Sequence, residues 1–277
     1  MTAIAIAAVL LGTSLAAGLA PRTFAHRLST GQLGDLTGAA SGLLLASALL
    51  VVIPEGFHTA AEAAHESGSD EAFAYSPVVL GAAILAGFVL MLLLEGFGVG
   101  HAVHEEHHDH AEGHGHDHVH HPTSSTVLAL GLSVHALADG LAIGAAAAAG
   151  DAAFSLLVAA GVIVHRIPAA LSLGLFSLHQ SNRRFGGTDG VILFAIATPL
   201  AILVSFAALD GADESLVALA LLFSAGTFLY VATVDTLPQV HNPETGRRAV
   251  RNIVVTAGLF TLALLVIESQ GLLDHGH

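Results

Sequence analysis

Apolar residues run through this chain in eight long blocks, separated by short polar or glycine-bearing breaks. The blocks cover residues 2–20, 35–60, 77–99, 124–149, 153–179, 189–209, 215–238 and 251–272. Each is near the ~20 residues that a helix needs to cross the hydrocarbon core of a bilayer. Within lipid every backbone donor and acceptor must be satisfied inside the segment, so blocks of this length predict α-helices. The second and fifth are long enough to tilt or to project from the bilayer. The expectation is an all-α polytopic membrane protein with eight transmembrane helices, a single transmembrane domain spanning 1–277. The first block is followed, not preceded, by Arg22 and Arg27. A secretory leader carries its positive charge ahead of the apolar run, so this block reads as a retained first helix.

Charge then gives the blocks a direction. All eight basic residues are Arg, and there is no Lys. Arg22 and Arg27 follow helix 1, Arg183 and Arg184 follow helix 5, and Arg247, Arg248 and Arg251 follow helix 7. With eight spans these connections share one side, which positive charge marks as cytoplasmic. Both termini then face outside, and residues 101–121, after helix 3, form a cytoplasmic loop. The outer connections carry Glu62, Glu66, Asp70, Glu71, Asp210, Asp213 and Glu214, a face that would concentrate cations. A cell-membrane, multi-pass location follows, with the lipid bilayer as a partner.

Composition narrows the chemistry. The chain is 54% hydrophobic and only 11% charged, far from a soluble domain. Its formal net charge of −14 excludes the basic footprint of a nucleic-acid partner. Without Cys there is no thiolate nucleophile or zinc ribbon, so any metal ligand is His, Asp, Glu or backbone.

Ionisable residues inside apolar blocks are costly and mark substrate pathways. His135 and Asp139 stand four apart in helix 4 and so share one helical face. Imidazole with carboxylate suits Zn²⁺ and its neighbours, although a buried His–Asp hydrogen bond would produce the same spacing. His165 lies in helix 5 three residues before Pro168, which frees the carbonyl of Val164 as a further oxygen ligand. Glu55, His58, Glu62 and His65 make one stripe at the outer end of helix 2, a funnel for cations or simply a solvated helix end. Glu95 and Asp235 are the carboxylates towards the cytoplasmic ends of helices 3 and 7. The 101–121 loop holds ten His, among them His107, His108, His110, His114, His116 and His118, a metal-binding composition without core-forming residues.

Longer strings then carry a resemblance. Ile53-Pro54-Glu55-Gly56, the run Val134 to Gly140, His165-Arg166-Ile167-Pro168-Ala169-Ala170 and the run Phe223 to Thr233 are similar to the ZIP (zinc- and iron-regulated-transporter-like) family of metal transporters. The likeness covers essentially the whole chain and is closest to the branch with Golgi-located vertebrate members. It implies helices 1–3 and 6–8 as inverted repeats around helices 4 and 5, a transport site between those two, and metal movement towards the cytoplasm. It also implies His135, Asp139 and His165 as ligands, and Asp235 as the helix 7 acid. Four positions depart from the family pattern: Ala136, Arg166, Ala169 and Ala170 stand where many members have further ligands. One metal position rather than two is expected. Arg166 needs a partner, Asp139 or Glu55, or must reach the interface; its charge would stand where relatives hold a second cation.

The expected function is transport of Zn²⁺, with Fe²⁺, Mn²⁺ and Cd²⁺ as alternatives, and no enzyme activity. The metal is cargo, and no resident cofactor is expected. Flux should fall at acidic pH, because ligands shed protons to bind metal. An intramembrane metalloenzyme and a membrane metal sensor are the alternatives; the first lacks an HExxH sequence and a placed general base. A homodimer is compatible with the sequence.

Overall fold

A computed structural model describes residues 2–24, 30–68, 71–96, 125–149, 152–179, 188–234, 240–241 and 245–269. Its longer elements are helices, and eight of them are long and apolar enough to cross a membrane. They are α1 (Thr2–Leu19), α3 (Thr30–Ser47) continuing through a π-helical turn (Ala48–Val52) into α4 (Ile53–Glu66), and α5 (Pro77–Gly96). Then come α6 (Ser125–Ala148), α7 (Ala152–His179), α8 (Thr188–Leu209), α9 (Glu214–Val234) and α10 (Gly246–Ser269). A short α2 (Pro21–Phe24) ends the first span. The protein is thus an all-α polytopic membrane protein, with α6 as helix 4 and α7 as helix 5.

Three boundaries differ from expectation by five residues or more, the first being the start of helix 2 at Thr30 instead of residue 35. Helix 2 runs on to Glu66, because its last turns are amphipathic: Gly56, Thr59, Ala60, Ala63 and Ala64 are buried while Glu62 and His65 stay exposed. Helix 8 starts at Gly246, ahead of its apolar block. There Arg248 donates from Nε to Asp35 at 3.1 Å and Asn252 donates to the same carboxylate at 2.8 Å, so the polar first turn is anchored on α3. The π turn sits directly ahead of Pro54, with the Ile53 N–H donating to Ala48 five residues back. A wider turn there relieves the clash between a proline ring and the carbonyl four residues earlier.

The packing partners reveal the internal repeat. α1 packs on α8; α3 packs on α10 as α5 packs on α9; α1 packs on α7 as α6 packs on α8; and α3 packs on α7 as α6 packs on α9. Each pairing maps onto another when helices 1, 2 and 3 exchange with 6, 7 and 8, and 4 with 5. Helices so exchanged run in opposite directions in an eight-span chain, so the repeats are inverted. Contacts across the ends agree with alternation. Asp35 opening helix 2 meets Arg248 opening helix 8, Glu95 closing helix 3 accepts from Tyr230 closing helix 7, and Tyr75 before α5 meets Ser215 of α9.

Small residues permit these approaches, as lipid supplies no hydrophobic drive between helices. A Cβ on Gly87 would strike the Phe223 carbonyl, and one on Gly226 the Ile84 carbonyl, so α5 and α9 meet backbone to backbone. The periphery is apolar in the opposite sense. Val78, Leu85 and Leu92 on α5, and Val254, Leu259 and Leu262 on α10, face outwards.

Candidate functional site

α6 is the most enclosed of the eight spans. The reason is local: Gly140 and Gly144 let α8 come close enough that added Cβ atoms would meet Thr198 and Ile202 backbone. Along α6 the chain leaves one apolar cluster at Ala136 and enters another at Ala142, and along α7 it passes between the same clusters from Ala170 to Val162. Asp139 and Arg166 occupy the gap, so a polar layer separates two apolar cores near the middle of the bundle.

Asp139 is fully buried and His135 nearly so. His135 Nε2 lies 3.6 Å from Asp139 Oδ1. That is too long for a good hydrogen bond. It is close to the ~3.4 Å that separates two ligands each ~2.0–2.1 Å from one tetrahedral zinc. The other oxygen, Oδ2, faces Arg166 Nη1 at 3.5 Å.

Arg166 is 2% exposed and does not reach an interface. Of the two carboxylates expected near it, Asp139 meets it and Glu55 does not. Three neutral acceptors complete its shell. Nε donates to Ser14 Oγ at 2.8 Å, Nη2 to the Phe194 carbonyl at 2.6 Å, and Nη1 to Thr198 Oγ1. The guanidinium also lies over the Phe194 ring, 4.2 Å from its centroid. Thr198 in turn donates to the Ala136 carbonyl at 2.6 Å. Ser14, Phe194 and Thr198 were not among the sequence candidates, and single hydroxyls in apolar helices carry no signal of their own. A buried Arg announces only that acceptors exist.

The other candidates are dispersed. His58 pairs with Glu62 at 3.5 Å in an accessible setting, and Glu55 is partly buried one turn earlier on α4. Glu95 accepts from Tyr230, whose ring stacks edge-on against Phe88. His165 belongs to α7, but its side chain lies outside those described, as do Asp235 and the whole tract with His107, His108, His110, His114, His116 and His118. Among the described side chains no three His, Asp or Glu gather as an ion-binding set. Two of the three expected ligands are therefore seen together, with a cation beside them.

A bundle of eight apolar helices around a buried imidazole, carboxylate and guanidinium defines a polytopic helical membrane protein with a polar layer at mid-depth. Residues 97–266 match the family described as ZIP Zinc transporter, and the chain belongs to that family. Zinc transporter ZIP9 of Xenopus tropicalis is 32% identical over 260 residues, covering 80% of this chain and 82% of the relative. Zinc transporter ZIP9 of Micropogonias undulatus is 34% identical over 250 residues, 78% of each chain. Zinc transporter ZIP2 of Homo sapiens is 29% identical over 128 residues, 44% of this chain and 40% of the relative.

Proposed function

We propose that the protein carries Zn²⁺, or a divalent ion of similar size, into the cytoplasm through a site between α6 and α7. His135, Asp139 and His165 are its ligands; Glu55 and His58 line the outer mouth and Asp235 the inner. The observation that carries this reading is the buried His135–Asp139 pair, set 3.6 Å apart in an apolar helix, wide for a hydrogen bond and suited to a shared cation. Family membership and the zinc-transporter relatives support zinc as the first ion to test. The Arg distribution supports the inward direction. The His tract serves as a cytoplasmic metal reservoir, and no covalent step is needed.

Zinc uptake into proteoliposomes tests it. The purified protein should accumulate zinc, which neither an intramembrane hydrolase nor a sensor would do. Asp139→Asn and His165→Ala should each lose most uptake while keeping normal expression. Near-normal uptake in both would remove the ligand assignment.

A further inference from the structure

Arg166 Nη1 is shared between two acceptors, Thr198 Oγ1 and Asp139 Oδ2. The bond to Asp139 is the long one, at 3.5 Å, against the ~2.7–2.9 Å of a well-made charge-assisted pair. We infer that Thr198 is a positioning residue that holds the Arg166 guanidinium off Asp139, and so sets how tightly the site binds its cation. This rests on the reading of Asp139 as a ligand.

Three features support it. First, the Thr198 hydroxyl spends its single proton on the Ala136 carbonyl, so only lone pairs face Arg166. Its polarity as an acceptor is fixed by α6, the helix that carries Asp139. Second, Nε and Nη2 are tied to Ser14 and the Phe194 carbonyl at 2.8 and 2.6 Å. The planar fork can therefore neither rotate away nor withdraw. Third, among the described residues Nη1 meets only Thr198 and Asp139 as acceptors, and the group is buried. If Thr198 gives up its hydroxyl, the Asp139 carboxylate must close on the anchored Nη1, because an unmet buried donor is costly.

The charge thus acts in two degrees. Held at its present distance of 3.5 Å, it moderates the pull of Asp139 on a dication without making a close charge-assisted bond to the carboxylate. Closed on Asp139, it would compete with the dication for the same oxygens.

Zinc titration of the purified full-length protein, with the KM of uptake in proteoliposomes, tests the inference. Thr198→Val should weaken zinc binding roughly tenfold, the scale of one hydrogen bond to a charged group. Thr198→Ser keeps the hydroxyl and should restore the parent affinity. Arg166→Met should tighten binding, and in that background Thr198→Val should have no further effect. Should Thr198→Val fold poorly, Thr198→Ala removes the same acceptor without a new contact. A Thr198 effect of equal size with and without Arg166, or none at all, would overturn the inference. Asp139→Asn separates the two levels. If it leaves zinc binding unchanged, the ligand reading falls and the positioning role with it. If it removes binding while the Thr198 effect is independent of Arg166, only the positioning role falls.

Discussion

A guanidinium at mid-membrane costs ~2.5–3.5 kcal/mol on insertion scales. A hydrogen bond to a charged group is worth ~1.5–3 kcal/mol, so the neutral anchors at Ser14, Thr198 and the Phe194 carbonyl are enough to offset that cost without Asp139. Asp139 therefore need not serve as the principal counter-charge of Arg166. Sequence pointed to His135, Asp139 and Arg166 because charge in apolar surroundings is conspicuous. It was silent on Ser14 and Thr198, since a hydroxyl can satisfy itself on its own helix, as Ser133 does on Ala129. The choice of Asp139 over Glu55 as the partner of Arg166 needed the three-dimensional arrangement. At the surface, Asp213 caps α9: the side chain of Ser215 and its N–H, the latter at 2.8 Å, both donate to it, and these hydrogen bonds hold its carboxyl below the ordinary value. A depressed folded-state pKa contributes stability above the unfolded value of about 3.9 and loses it as pH falls through the folded value. Asp213→Ala should therefore lower the melting temperature slightly at pH 7, and by less at a pH low enough to protonate Asp213. Melting curves at the two pH values check this, and a pH-independent difference would refute the capping account.

Among the elements, the spans were legible because an apolar block of ~20 residues admits few other structures. Their ends were less so. Helix 8 begins on Arg247 and Arg248, which hydropathy reads as loop, but Gly246 and Ala249 are buried and Asp35 holds Arg248 in place. The π turn was equally hidden; Pro54 marks a disturbance without saying which kind. Helix contacts depend on positions with no side chain. Gly226→Val would drive methyl groups into the Ile84 carbonyl, and overpacking of this type costs ~1–3 kcal/mol or more. Thermal stability in detergent should fall clearly for Gly226→Val. Gly12→Ala, where an added Cβ meets nothing within 4 Å, should be close to silent. Equal effects at the two positions would argue against the close α5–α9 approach.

For the whole molecule, the inverted repeat was implied only by resemblance; the helix contacts supply the matching pairings that such a repeat produces. Orientation is the global property that the Arg pattern predicts and packing leaves open. The chain contains no Cys, so single-Cys probes report cleanly. Probes at Ser69 and Gly211 should react from outside intact cells, and probes at Gly113 and Asn182 only after permeabilisation. The reverse pattern would turn the proposed direction of transport around. The π turn has one more consequence, for tolerance to changes in length. It takes up a residue beyond the ~3.6 of an α-turn, so α3 and α4 keep their faces around a surplus position. Deleting one residue between Ala48 and Val52 should straighten the turn and leave both flanks in register. Its cost is the pressure of Pro54 on a preceding carbonyl, a burden that Pro168 and Pro199 already place on their helices. In α6 no such slack exists. Removing one residue between His135 and Asp139 would rotate one against the other by ~100° and part the pair. A scan of single deletions, read by folded yield, should show helix 2 forgiving at its π turn and helix 4 intolerant throughout.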